Sequence, residues 1–176
     1  ALAGDVVAVQ GIGGLGHLGV QFASKLGFKT VAIGRGKDKE PLARKLGAVD
    51  YVDAASTNPA EELQRLGGAR VILATAPDAK GISSLVDGLG PNGKLLIVAA
   101  AGDPITVNAI TLISKRASVQ GWPSGTAKDS EDTLRFSALT GVRPMVERYP
   151  LARAKEAYQQ MMSGKARFRA VLTMND

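Results

Sequence analysis

The sequence has no cysteine and one histidine, His17, among 176 residues. The absence of thiols excludes a disulfide scaffold, a cysteine nucleophile and any thiolate-bound metal. A single imidazole cannot build the ligand set that a catalytic zinc needs, so zinc held by this chain alone is not expected. Aromatic residues make up only 5% of the chain, and the basic residues are scattered. No basic run is interleaved with stacking rings, so nucleic-acid binding is not expected. No apolar stretch reaches the roughly 20 residues that cross a bilayer, so no membrane span is expected either. The opening Ala1-Leu2-Ala3-Gly4-Asp5 lacks a basic n-region, a long apolar segment and an initiator Met. It reads as a chain entered in mid-course rather than as a signal peptide, and the expected compartment is the cytoplasm.

What is present points to a folded core. Hydrophobic residues are 45% and charged residues 22%, which is the balance of a globular domain. The length suits one ordinary domain with an appended piece. The 22 basic and 16 acidic residues leave a formal charge of +6, which suits anionic ligands such as phosphates.

Along the chain, apolar β-branched runs alternate with helical patterns. Strands are predicted at Asp5 to Gln10, Lys29 to Gly34, Val49 to Val52, Arg70 to Ala74, Lys94 to Val98 and Ala117 to Gln120. Helices are predicted over Leu15 to Leu26, ending at Leu46, over Pro59 to Leu66 with Asn58 as cap, and over Gly81 to Leu89. In the first helix, Leu15, Leu18, Phe22 and Leu26 recur at spacings of three and four and read as its buried face. Gly90-Pro91-Asn92-Gly93 reads as the turn into the fifth strand. This alternation predicts an α/β fold: a doubly wound parallel sheet in the order 3-2-1-4-5-6. Two parts are expected, a nucleotide-binding domain over 1–125 and a C-terminal segment over 126–176. In the latter, helices are predicted over Ser130 to Leu139, capped by Asp129 or Ser130, and over Leu151 to Met162. A strand falls within Val142 to Tyr149 and another over Phe168 to Met174.

The informative segment is Gly11-Ile12-Gly13-Gly14-Leu15-Gly16, which matches G-x-G-x-x-G directly after a strand and at the opening of a helix. Gly11 permits the tight turn, Gly13 lets the backbone approach a pyrophosphate, and Gly16 lets helix and strand pack closely. The helix start at Gly14 and Leu15 then offers N–H groups to the phosphates. A glycine-only structural turn is the bland alternative. A methyltransferase binding S-adenosylmethionine is another, but such sites usually carry an acid just before the glycines, where Gln10 stands here. The expected ligand is a nicotinamide dinucleotide.

The end of the second strand reads Ile33-Gly34-Arg35-Gly36-Lys37. NAD sites place an acid about 20 residues after the glycine loop, on the ribose 2′-hydroxyl. Here Gly34 leaves room, and Arg35 and Lys37 offer charge for a 2′-phosphate. NADP(H) is therefore the favoured cofactor, with NAD(H) open because Asp38 is near. A solvated basic loop is the alternative reading.

Gly11 to Gly27 resembles the zinc-dependent alcohol dehydrogenases of the medium-chain dehydrogenase/reductase superfamily. So do Gly93 to Val98, Ser114 to Gly121 and Tyr149 to Arg169, and the likeness extends over essentially the whole chain. The nearest subgroup looks like the bacterial cinnamyl-alcohol-type and broad alcohol dehydrogenases. The resemblance implies an oxidoreductase interconverting alcohols and aldehydes with NAD(P). It implies that zinc and the proton relay belong to an N-terminal catalytic domain that nothing here matches, and that residues from about Thr126 onward pack with that domain. It also implies cofactor contacts at Ala74, Thr75 and Ala76, at Val98, Ala99 and Ala100, and at Gly121 and Trp122. No catalytic residue is assigned in this chain. Homodimerisation through the sixth-strand edge, near Val119, is a further expectation. Arg116 reads as a strand-flanking residue, and His17 as a helix-surface residue without chemistry. A zinc-free quinone or enoyl reductase of the same superfamily, or a non-catalytic nucleotide-binding module, remain the rival readings.

Overall fold

The structure, a computed structural model, describes residues 1–174. Val6–Gln10 (β1), Lys29–Gly34 (β2), Asp50–Asp53 (β3), Ala69–Ala74 (β4), Leu89–Ile97 (β5) and Ser118–Gly121 (β6) form one sheet. Its order is β3-β2-β1-β4-β5-β6, and every pairing is parallel, as the alternating pattern predicts. The crossovers are Gly16–Lys25 (α1), Glu40–Lys45 (α2), Pro59–Arg65 (α3), Ala79–Leu85 (α4) and Ala109–Lys115 (α5).

The inner strands β1, β2 and β4 are mostly apolar because both faces of the sheet are covered there, whereas the edge strands β3 and β6 are mixed. Ala8, Val31, Ile33, Ile72 and Leu95 face one side, against Leu63, Ile82 and Leu85. Val9 and Ala32 alternate to the other side, against Ile12, Val20, Ala43 and Ala48. Pro59 at the first position of α3 and the Asn58 side chain, accepting from the Ala60 N–H at 3.0 Å, start that helix as predicted.

Several local expectations are corrected. The buried residues of α1 are Gly16, Val20 and Ala23, with His17 covered by the C-terminal segment, whereas Leu15 and Leu26 are exposed. A helix that must approach a sheet closely buries its small residues. A Cβ on Gly19 would already lie 3.0 Å from Leu73 Cδ2. Phe22 instead points outward and stacks on Phe136, 5.6 Å between ring centres. Helix α5 was not predicted; it is short, and the Asn108 side chain caps it by accepting from the Ile110 N–H. Arg116 flanks β6 two residues ahead of it, as read, and is also the left-handed C-cap of α5 at φ 49°. Leu89 belongs to β5 rather than to a helix. The predicted Gly90–Gly93 turn lies inside the β5 span, where pairing skips from Leu89 to Lys94.

Beyond the sheet come Ala127–Thr140 (α6), Val146–Pro150 (β7), Ala154–Met162 (α7) and Arg169–Thr173 (β8). Thr126, not Asp129 or Ser130, caps α6, with Asp129 returning the capping-box bond to the Thr126 N–H. A 3-10 turn over Leu151–Arg153 replaces the first turn expected of α7. β7 and β8 pair with each other in parallel, apart from the main sheet. This segment docks on the outer side of α1. Besides the Phe22–Phe136 stack, the Gln21 amide donates to the Arg143 carbonyl and accepts the Arg143 N–H. Its Leu134 and Leu139 are 70% and 85% exposed, so apolar surface remains uncovered there. Among the described residues no helix is long and apolar enough to cross a membrane.

Candidate functional site

Parallel register places the strand ends in one row. Gln10 stands opposite Ile33 and Ala74, Ala74 opposite Ile97, and Ile97 opposite Gly121. The glycine loop, the Gly34–Lys37 turn, the loop from Thr75, the loop from Val98 and the segment from Trp122 therefore leave from one carboxyl edge. That edge is where open α/β sheets bind ligands. Two of these loops extend the ladder by one bond each. The Val98 N–H donates to the Ala74 carbonyl, and the Trp122 N–H to the Ile97 carbonyl. Ala99 and Ala100 follow Val98, and Trp122 is 53% exposed; none of Val98, Ala99, Ala100, Gly121 and Trp122 lines the cleft at the glycine turn.

The glycines of the loop divide by what surrounds them. Gly11 has φ +91°, and a Cβ there would lie 2.9 Å from Ala76 Cβ and Thr75 Oγ1. A Cβ on Gly16 would overlap the Gly11 carbonyl oxygen, so helix and turn touch backbone to backbone. Gly13 has nothing within 4 Å of its missing side chain, which leaves its face open to a ligand. Gln10 does structural work in place of an acid. Its carbonyl accepts the Thr75 hydroxyl at 2.8 Å, and its side-chain oxygen accepts the Ala76 N–H at 3.1 Å. α1 starts at Leu15 without a side-chain cap. Among the described residues no backbone acceptor meets the N–H groups of Gly13, Gly14 and Leu15, so these donors are available to an anion.

The cleft has two connected halves that share Gly11, Ile12, Lys39, Ala76 and Pro77. One, about 620 Å³, reaches past Gly34 to Arg35, Lys39, Asp78 and Lys80. Its charged lining is three cations and one carboxylate. Arg35 Nη2 donates to Asp78 Oδ2 at 2.5 Å, while Asp78 Oδ1 accepts the Gly81 N–H and caps α4. Lys37 does not join Arg35 in this half; it lines a separate hollow beside Asp53. Lys39 and Lys80 stand where the sequence pointed to Lys37. The other half, about 570 Å³, lies between Gly13, Gly14 and the returning residues Arg167 and Phe168.

The return of the C-terminal segment supplies a residue that the sequence reading missed. The Arg169 guanidinium lies 3.2 Å from where a Gly14 Cβ would stand. It brings a cation to the glycine loop from 155 positions away, and no local spacing could have signalled it. His17 is also corrected, because it has no exposed surface at all. Its Nδ1 donates to the Gly13 carbonyl at 2.8 Å, and its Nε2 accepts the Met145 N–H at 3.0 Å. Burial above all, opposed by the Gly13 bond and joined by the Arg169 charge, lowers its pKa. The ring is therefore neutral and structural. Asp53 accepts the Ala55 and Gly36 N–H groups, which hold its carboxyl below the ordinary range.

These residues do not fit a zinc ion. The sequence has no thiolate, both nitrogens of its one imidazole are engaged, and no three His, Asp or Glu side chains converge among the described residues.

Residues 14–138 match the family model described as zinc-binding dehydrogenase. The alcohol dehydrogenase patD of Penicillium expansum is 48% identical over 171 residues, which is 97% of this chain and 50% of that protein. An alcohol dehydrogenase of Geobacillus stearothermophilus is 30% identical over 174 residues, 98% of this chain and 51% of its own length. Among solved structures, the alcohol dehydrogenase of the archaeon Aeropyrum pernix superposes with a TM-score of 0.86 at 27% identity, over 97% of this chain and 50% of that one. The chain spans about half the length of the relatives it matches. On a family match that runs from the glycine loop into α6, the chain belongs to the zinc-binding dehydrogenase family.

Proposed function

We propose that this chain is the dinucleotide-binding part of an NAD(P)-dependent oxidoreductase that interconverts alcohols and aldehydes. The observation that carries the reading is the glycine turn at the row of strand ends, with Gly13 open, uncapped N–H groups behind it and Arg169 beside it. Pyrophosphate is the anion that such a turn recognises. The cofactor contacts proposed are those at Gly11 to Gly16, Gly34, Arg35, Ala74 to Ala76, Val98 to Ala100, Gly121 and Trp122. Polarising a carbonyl and moving a proton require groups outside these 176 residues. The alcohol dehydrogenase names of the relatives favour this reading over a quinone or enoyl reductase and over a non-catalytic module.

The finer reading is NADP(H) over NAD(H). No carboxylate stands at Gly34, and the ribose half of the cleft carries a cationic excess. A 2′-phosphate competes well with Asp78 for Arg35, because it brings more charge, and Asp78 keeps its cap bond to Gly81 when released. Residues 126–176 would pack with a catalytic domain through Leu134, Leu139 and their neighbours, and β6 offers a free edge for a second copy. Calorimetric titration of NADP+ and NAD+ into the 176-residue chain tests the reading. Binding of at least one dinucleotide is expected, and binding of neither removes the assignment.

A further inference from the structure

We propose that Tyr51, on β3, decides which dinucleotide the site accepts by filling the space that a side chain at Gly34 would need. The inference rests on the dinucleotide reading above. Gly34 is the last residue of β2 and pairs with Asp53, while Tyr51 pairs with Ala32 two positions earlier. Strand side chains alternate between faces, so Ala32, Tyr51 and any side chain at position 34 share one face of the sheet. A Cβ built on Gly34 collides with the Tyr51 hydroxyl oxygen and stands 3.2 Å from Cε2 and Cζ of the ring.

Two contacts hold the half-buried ring in place. Its hydroxyl donates to the Gly36 carbonyl at 2.6 Å, and its body packs against the cluster of Val9, Val20, Ala32 and Ala43. Asp53 grips the same turn from the other peptide group, accepting the Gly36 N–H at 2.7 Å. Both polar groups of Gly36 are thus tied to β3, and Gly36 itself has φ +84°. Burial first, then the charges of Asp53, Asp38 and Glu40, raise the Tyr51 pKa, so the phenol keeps the proton that it donates.

A ribose 2′-hydroxyl is ordinarily held by an acid at the end of the second strand. Here β3 excludes that acid sterically, whatever its charge would contribute. Selectivity passes instead to Arg35, on the turn that Tyr51 and Asp53 hold. Tyr51 lines the separate hollow beside Asp53 rather than the cleft, so it is a positioning residue.

The test is a double-mutant cycle on the full chain, reading the dissociation constants of NADP+ and NAD+ for wild type, Gly34→Asp, Tyr51→Ala and the pair. Gly34→Asp alone is expected to weaken both dinucleotides and to leave their ratio within about threefold of wild type, whereas the pair moves the ratio toward NAD+ by about tenfold or more. A merely structural Tyr51 would change both affinities together and leave the ratio alone. If Gly34→Asp by itself moves the ratio as far as the pair does, the inference is wrong. Should Tyr51→Ala unfold the chain by circular dichroism, Gly34→Asp with Tyr51→Phe carries the test. Loss of the colliding oxygen should then shift the ratio by roughly threefold, and no shift overturns the proposal. A wild type that binds neither dinucleotide overturns the reading of the site itself, and this inference with it.

Discussion

Nε2 of His17 accepts the backbone N–H of Met145 at 3.0 Å, across 128 positions of sequence. An N–H can only donate, so Nε2 is the bare nitrogen and Nδ1 carries the proton that goes to the Gly13 carbonyl. The Met145 carbonyl in turn accepts the N–H groups of Phe168 and Arg169. One neutral imidazole therefore joins the glycine turn to the strand that brings Arg169 over it.

Replacing that ring removes two bonds at once. His17→Leu leaves the Met145 N–H without its partner, while the Gly13 carbonyl keeps the backbone N–H of residue 17, at a cost of about 1–3 kcal/mol. Denaturant unfolding should show the loss as a lower midpoint at an unchanged slope. An unchanged midpoint would mean that water replaces the ring without penalty.

The same ring sets a pH dependence. In the unfolded chain an imidazole titrates at its ordinary value of 6.5, while the folded ring resists protonation to lower pH. Below 6.5 the unfolded state binds more protons, so stability falls as pH drops through that value and levels only below the folded pKa. With a single histidine in the chain, His17→Leu should abolish the part of the slope that lies near neutrality. The Asp53 carboxyl, held low by its backbone hydrogen bonds, acts at more acid pH, where its protonation makes stability fall further. Equal slopes for wild type and variant between pH 5 and 7 would refute the assignment (roughly the range in which imidazole titrates).

The strand order was legible because the inner strands carry apolar runs closed by turn residues and alternate with helical patterns, and parallel sheets impose that pattern. The glycine turn was legible because its signature lies within six residues, where Gly16 packs on the Gly11 carbonyl, although Thr75, Ala76 and Arg169 close around it from far along the chain. What was not legible depends on tertiary partners. Leu15, Leu18, Phe22 and Leu26 have helical spacing, yet the sheet selects Gly16, Val20 and Ala23, because close approach outweighs hydrophobic size there. Nothing near Arg35 in sequence announces Asp78, and nothing near Gly14 announces Arg169. The burial of His17 needs Phe168, whose ring centre lies 4.7 Å away, and so it too depends on the returning segment.

Two glycines of one loop should fail in different ways. Gly16→Ala pushes a methyl into the Gly11 carbonyl, and overpacking of this kind costs about 1–3 kcal/mol. Gly13→Ala meets open space, so its melting temperature should stay near that of wild type while dinucleotide affinity drops. Thermal melts paired with calorimetry separate the two. A Gly13→Ala variant that binds as wild type would show that no ligand backbone passes there.

The 176-residue chain alone should not oxidise alcohols and should not retain zinc after dialysis. A hydride acceptor needs a polarised carbonyl and a proton source besides the cofactor, and the donor set here is wrong for the metal. Elemental analysis together with an assay of nicotinamide absorbance decides this. One tight zinc per chain with turnover would contradict it.

The last expectation concerns Arg35. A charge-assisted hydrogen bond contributes on the order of 1.5–3 kcal/mol, which is roughly 10- to 150-fold in affinity. The Arg35 side chain is 72% exposed, and solvent screening pulls its effect toward the lower end of that range. Its bond to Asp78 must also be given up when a 2′-phosphate arrives, which lowers the net gain again. Arg35→Ala should therefore weaken NADP+ by about tenfold and leave NAD+ nearly unchanged, because the ribose hydroxyl does not use the guanidinium charge. The freed Asp78 carboxylate then adds repulsion toward the phosphate. Asp78→Asn should act in the opposite sense and tighten NADP+, since it releases Arg35 without its competitor. Raising the salt should shrink both differences. Titrations of the two dinucleotides into wild type, Arg35→Ala and Asp78→Asn at two ionic strengths supply the comparison. If Arg35→Ala keeps the full preference of wild type, the selection is made by Lys39 or Lys80, the other cations lining that half of the cleft.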